Sequence, residues 1–110
     1  MNKHETEQEF LNKQRLLYTG QINETLTQVL KEKFPNITNA FLLFIMLEQA
    51  ENIYHILIDS STIVLIEISR INPDINNVLV DTVSVNEYKA GLSSWYRRNL
   101  DIAIKLQNKK

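Results

Sequence analysis

Seven consecutive apolar residues, Phe41 to Leu47, stand near the middle of the chain and are followed by the mainly polar stretch 48–52. Because successive side chains of a strand point to opposite faces, an extended segment of this composition carries large side chains on both faces. We therefore predict a central strand that is covered on each side. A helix is the alternative, but the phenylalanines and the polar break fit a strand, a turn and a second strand better. The run is too short for a membrane span, which needs roughly 20 apolar residues.

Two more strands are predicted directly afterwards, over Ile53 to Asp59 and over Ile63 to Ser69. Side chains alternate along a strand, so the first of these has one apolar face and one mixed face. The apolar face holds Tyr54, Ile56 and Ile58. The residues between the two strands have short polar side chains that bond to nearby backbone, which favours a turn. The three strands are therefore predicted to form an antiparallel meander.

Two helices are predicted before these strands. The first, His4 to Tyr18, has a thin apolar stripe, and the second, about Gln21 to Phe34, carries apolar residues at helical spacing. Pro35 ends the second helix, because proline disfavours helical backbone in the residue before it. We expect residues 1–20 to form a peripheral helix and residues 21–110 to form the core.

A fourth strand and a last helix are predicted in the C-terminal third. The strand spans Val78 to Val85, and Asn86 is expected to cap the helix, because its side-chain oxygen can accept from an unpaired amide of the first turn. Residues 100–106 fit two structures, since their apolar side chains alternate as in a strand and also continue the helical spacing. We expect a short strand after Asn99.

The composition limits the classes of protein and ligand. A chain of 110 residues, 44% hydrophobic and 23% charged, is long enough for one domain with its own core. The formal net charge of −1 provides no overall attraction to nucleic acids or anionic membranes. The chain has no cysteine, which excludes disulfides and thiolate chemistry. Residues 1–11 lack the apolar segment of a signal peptide, so a cytoplasmic location is expected.

These patterns predict one α+β domain over residues 1–110. Its antiparallel sheet has four or five strands in a meander, packed with two N-terminal helices and one C-terminal helix. The strand at Phe41 to Leu47 needs cover on both faces, and the thin stripe of the first helix supplies little of it. We therefore expect a second copy of the chain to cover the remainder, as a homodimer.

Two stretches resemble a known family. They are Lys33-Phe34-Pro35-Asn36-Ile37-Thr38-Asn39-Ala40-Phe41-Leu42 and Tyr54-His55-Ile56-Leu57-Ile58-Asp59. They are similar to the C-terminal domain of the enhanced serine sensitivity (SseB-type) protein family, in which a helix and a short link lead into an Ala-Tyr-Leu-like strand. The likeness covers residues 26–98, and Phe41 replaces the usual tyrosine. The resemblance implies a small bacterial α+β module without established catalytic residues, and it assigns no site.

His55, Asp59 and the serines after them are the residue types of a hydrolytic triad. His55 and Asp59 are four positions apart on one strand, about 13 Å at strand rise, whereas a triad needs hydrogen-bond contact. The alternative is a partly buried histidine beside a turn in which Asp59 accepts from backbone amides. A ligand pocket of His55, Asp59 and Glu67 is the enzymatic hypothesis. With two histidines, no cysteine and no glycine-rich loop, neither a metal site nor a cofactor is expected.

The most suggestive surface feature is Trp95-Tyr96-Arg97-Arg98. Tryptophan, tyrosine and arginine are enriched at protein interfaces, and aromatics among arginines can also stack on bases and pair with phosphates. A third interpretation packs Trp95 inward beside Leu92 and leaves both arginines solvated. Lysines occur on both sides of this segment, at Lys89, Lys105, Lys109 and Lys110.

No catalytic residue is assigned from the sequence. The expected function is a noncatalytic protein-interaction module, such as an accessory, adaptor or immunity-type protein. It is expected to bind through the edge of the sheet, through an exposed face of the sheet, or through the candidate residues Trp95, Tyr96, Arg97 and Arg98. The alternative is a small hydrolase or ligand-binding enzyme with a pocket near His55. The expected partner is another protein or a second copy of the chain. Membrane binding is not expected, and nucleic acid is the least favoured partner.

Overall fold

The computed structural model describes residues 2–37 and 39–109 and confirms an α+β fold. Thr38, in the first stretch of the family resemblance, and Lys110 lie outside the described residues. The helices are α1 (Lys3–Thr19), α2 (Glu24–Lys33), α3 (Val85–Ala90) and α4 (Ser94–Gln107). The strands are β1 (Ala40–Leu47), β2 (Glu51–Ile58), β3 (Thr62–Ser69) and β4 (Leu79–Ser84). In the part of the chain described, no helix has the length and apolar character needed to cross a bilayer.

The four strands form one antiparallel sheet in the order β1-β2-β3-β4, which confirms the predicted meander. The prediction that β1 is central is wrong, because β1 lies at an edge of the sheet. Helix α1 packs along this edge, and the Gln14 side-chain oxygen accepts a hydrogen bond of 3.1 Å from the Ala40 amide. The apolar start of β1 is thus covered from the side as well as on both faces.

A separate hydrophobic core lies on each face of the sheet. Helix α2 packs on the face that holds Tyr54, Ile56 and Ile58, and helix α4 packs on the opposite face. Helix α1 contributes to both cores, since Leu17 is buried in the first and Phe10 in the second. The thin apolar stripe of α1 is therefore divided between two layers, which explains its weak periodicity.

A β-bulge in β1 changes which side chains meet helix α4. Phe41 pairs with Leu57 and Phe44 pairs with His55, and the register shifts between Leu42 and Phe44. Leu57 and His55 are two residues apart and share a face, so both phenylalanines lie on that face too. In a regular strand, residues three apart would point to opposite faces. The bulge therefore brings Phe44 to the side of the sheet covered by α4.

The C-terminal region differs from two predictions. Ser84, not Asn86, caps α3, and its hydroxyl accepts from the Glu87 amide at 3.1 Å. Residues 100–106 belong to α4, so the predicted short strand is wrong. Leu100 and Ala103 lie on one side of this helix and are buried in the core against the sheet. This tertiary packing decides between two periodicities that the sequence leaves equal.

The second half of β1 lacks the cover that its first half has. Ile45 and Met46 are exposed, and Leu47 is 72% exposed. The turn after them is held by the Arg70 guanidinium, which donates three hydrogen bonds of 2.7–2.9 Å to carbonyl groups. An ordered apolar strand end is thus presented to solvent.

Candidate interaction site: an aromatic cavity at the start of helix α4

A cavity of about 350 Å³ lies between helix α1, the bulged part of β1 and the N-terminal half of α4. Most of its wall is apolar or aromatic, and polar groups enter it from α1 and α4. We call it the aromatic cavity. Its lining consists of Thr6, Glu9, Phe10, Lys13, Leu42, Leu43, Phe44, Tyr88, Leu92, Trp95, Tyr96, Arg98, Asn99 and Leu100.

Four rings form a continuous series from the core to the mouth of the cavity. The centroid of His55 lies 4.1 Å from that of Phe44, Phe44 lies 5.3 Å from Tyr96, and Tyr96 lies 4.9 Å from Trp95. Tyr96 is 43% exposed and Trp95 is 61% exposed. The interpretation that packs Trp95 inward is therefore wrong. Two large aromatic side chains remain at the surface beside a cavity.

His55 forms the buried end of this series. It is 6% exposed, and its Nδ1 atom lies 2.9 Å from the Tyr88 hydroxyl. Its Nε2 atom is buried and has no hydrogen-bond partner among the described residues. Burial lowers the pKa of His55. Burial also raises the pKa of Tyr88, with a smaller contribution from Tyr96. Both groups are thus held in their neutral forms.

The structure does not bring Asp59 and Glu67 onto His55. Asp59 lies in the β2–β3 turn with φ 48°, and its Oδ1 accepts from the Asn39 amide at 2.8 Å. Its charge also adds to burial in raising the pKa of Tyr18. Glu67 lies on β3 and pairs with Ile53 of β2, which is the next residue along the face that holds His55. The hydrogen bonds described for His55 include none to a carboxylate, so the acid that a hydrolytic site needs is not in contact with it.

Arg98 connects the aromatic cavity to a neighbouring cleft of about 440 Å³, which we call the basic cleft. The ion pairs of the described residues join Lys13 to Glu9, Lys89 to Asp101 and Lys109 to Glu7. None of them uses a basic side chain of this cleft, whose described lining has four basic side chains and one acidic side chain. The cleft is lined by Lys3, Ser94, Arg97, Arg98, Asp101, Ile102 and Lys105.

Sequence reasoning identified the aromatic and basic side chains of α4 but missed the opposite wall. Thr6, Glu9 and Lys13 come from α1, whose pattern gives no sign of a site. Phe44 enters the wall only because of the bulge in β1. The one available signal was the unusual run of apolar residues in β1. The position of β1 at an edge covered by α1 depends on contacts between residues that are distant in sequence.

Within residues 2–37 and 39–109, no three His, Cys, Asp or Glu side chains are placed to hold a metal ion. The comparison of the chain with protein-family models, curated proteins and solved structures found no match.

Proposed function

We propose that this protein is a noncatalytic protein-interaction module that binds its partner through the aromatic cavity and the segment Trp95 to Arg98. The observation that carries the proposal is the exposure of Trp95 and Tyr96 at the mouth of a cavity whose floor is the protein core. Residues that anchor protein interfaces are mostly Trp, Tyr and Arg, and they bind best beside well-packed pockets. A role as an accessory, adaptor or immunity-type protein in the cytoplasm fits such a site.

The size of the cavity agrees with the insertion of one large side chain. Its volume of about 350 Å³ is at the lower end of the ~300–1,000 Å³ range of ligand pockets. The rings behind Trp95 are ordered by stacking and by the bond between His55 and Tyr88, so little conformational entropy is lost when a partner binds.

Photo-crosslinking tests this function. A benzoylphenylalanine at position 96 is expected to crosslink to one partner in a lysate of the source cells. The same group at position 71 is the control, because Ile71 is 84% exposed and lies outside the cavity. Trp95→Ala is expected to abolish the specific crosslink. Equal crosslinking patterns at positions 96 and 71 would contradict the proposal.

A small-ligand binding protein is the second candidate, and the position of the cavity favours it. Phe44 and Tyr88 line the cavity and also contact His55. A small apolar molecule in the cavity would therefore touch the side chains that surround this histidine. A fragment screen by thermal shift separates this candidate from the first. Fragments that raise the melting temperature of the wild type but not of Tyr88→Ala would support it.

Self-association is a further proposal for the partner, supported by the exposed end of β1. Ile45, Met46 and Leu47 present apolar side chains at an edge strand, where a second copy can add its own strand. Light scattering after size exclusion tests it. We expect the wild type to form a dimer and Leu47→Lys to be a monomer. A wild type that is monomeric at all concentrations would contradict self-association.

Membership of the enhanced serine sensitivity (SseB-type) family is likewise a proposal.

A further inference from the structure

We infer that the partner presents an acidic segment with one large apolar or aromatic side chain, which enters the aromatic cavity while neighbouring carboxylates pair with Arg98 and the basic cleft. This inference rests on the proposed function and assigns the chemistry of the partner bound at that site.

The walls of the aromatic cavity favour an apolar anchor. The half-buried side chains of Leu43, Phe44 and Leu92 supply apolar surface from β1 and from the link between α3 and α4. An apolar side chain that enters removes both its own surface and these walls from water, which is the main favourable contribution at interface cores. The carboxylate of Glu9 is already paired with Lys13 at 2.9 Å, so this rim of the cavity offers no free negative charge.

The charges around the cavity favour an acidic segment. Lys3, Arg97, Arg98 and Lys105 line the basic cleft and make no ion pair among the described residues. The acidic side chain in the described lining of this cleft, Asp101, is bound to Lys89 at 2.8 Å. The chain as a whole has a net charge of −1, so this cluster of cations is a local feature. Complementary charge on a partner would guide its approach and orient it.

Arg98 determines how the two parts of the partner are arranged. It lines both the aromatic cavity and the basic cleft. An apolar side chain of the partner that binds in the aromatic cavity would therefore lie next to Arg98, with the other cations of the basic cleft just beyond it. Arginine can bind a carboxylate through two parallel hydrogen bonds. The geometry therefore fits an apolar residue flanked closely by Asp or Glu in an extended or helical segment.

The ring arrangement disfavours a single-stranded nucleic acid. Tyr96 meets Phe44 at an interplanar angle of 45° and Trp95 at 85°. These rings pack on one another and do not form a row of open platforms on which successive bases could stack. Binding of a nucleic-acid backbone also depends on many phosphate contacts, whereas this site offers the four basic side chains of one cleft.

Selection from a phage-displayed library of random peptides tests the inference. The immobilised full chain is the target, and Trp95→Ala is used for counter-selection. Selected peptides are made synthetically with a fluorescent label, together with versions in which Asp and Glu are replaced by Asn and Gln. Binding is measured by anisotropy to the wild type, to Trp95→Ala, to Arg98→Gln and to Lys31→Gln. Lys31 is the matched control, because it is exposed on α2, which packs on the opposite face of the sheet.

The expected result is a set of peptides that combine an aromatic or large aliphatic residue with adjacent acidic residues. Their affinity should fall by about tenfold or more in Trp95→Ala and in Arg98→Gln, and in the amidated peptides, but not in Lys31→Gln. It should also fall as salt is raised. Circular dichroism confirms that each variant is folded.

Other outcomes overturn the inference in distinguishable ways. Peptides that depend on Trp95 but bind equally to Arg98→Gln would refute the acidic partner and leave the proposed function intact. A library without any Trp95-dependent peptide would refute both. If a mixed-sequence single-stranded oligonucleotide binds more tightly than the peptides, and Arg98→Gln loses this binding, the partner is a nucleic acid and not an acidic protein segment. If the chain forms a dimer that Trp95→Ala abolishes, the partner is a second copy of the chain.

Discussion

The Nδ1 atom of His55 lies 2.9 Å from the hydroxyl oxygen of Tyr88, and this contact joins strand β2 to helix α3 beneath the aromatic cavity. The ring of His55 also stacks on Phe44. One polar contact and one ring contact thus connect the protein core to the wall of the proposed binding site.

Acidification is expected to destabilise the protein through His55. Burial lowers its pKa in the folded state, while the unfolded chain takes up a proton near the ordinary value of about 6.5. Below that pH the unfolded state binds more protons, so the free energy of unfolding falls as the pH is lowered from about 7.5 towards 5. Urea unfolding at a series of pH values measures this dependence. His55→Leu should reduce the slope in this range, and His4→Gln, at an exposed position, should keep it.

Removal of the Tyr88 hydroxyl is expected to destabilise the fold. Tyr88→Phe leaves the buried Nδ1 of His55 without a partner, and the free energy of unfolding should fall by about 1–3 kcal/mol. Tyr96→Phe is the control, because the hydrogen bonds of the described residues include none to the Tyr96 hydroxyl. Equal stability of the two variants in chemical denaturation would show that the contact is not energetically important.

Loss of the Gln14 side chain is expected to weaken the covered edge of β1. Gln14→Ala removes the acceptor of the Ala40 amide and should lower the free energy of unfolding by about 1 kcal/mol. Gln8→Ala makes the same change at an exposed position of the same helix and should stay within about 0.5 kcal/mol of the wild type. Amide hydrogen exchange at Ala40 should also accelerate in the first variant only.

Truncation of Trp95 is expected to change stability little. Its side chain is 61% exposed, so Trp95→Ala should cost less than about 1 kcal/mol. Phe41→Ala, at a residue that is 1% exposed, should cost about 3–5 kcal/mol. Thermal unfolding of the two variants tests the contrast. Comparable losses would indicate that Trp95 supports the fold and is not held at the surface for a partner.

Most helices and strands were predictable from local sequence patterns, but some of their boundaries and caps were not. The alternation of Tyr54, Ile56 and Ile58 predicted a buried face of β2, and α2 covers that face. The predicted strand at residues 100–106 is wrong, because these residues satisfy both periodicities and only their packing in α4 separates the two. The predicted cap of α3 at Asn86 is also wrong, because Ser84 caps this helix. Either residue type can serve as a cap, so residue identity alone does not locate the first turn.

The amino-acid sequence determined the α+β class, the order of the strands along the chain and the presence of clustered aromatic and basic residues near the start of α4. These properties depend on side-chain periodicity and turn chemistry, which act over a few residues. Only the tertiary structure decided that β1 lies at an edge, that a bulge turns Phe44 towards α4, and that α1 closes the aromatic cavity. Those features arise from packing between segments distant in sequence, where the free energy depends on which surfaces meet and not on the pattern of either surface alone.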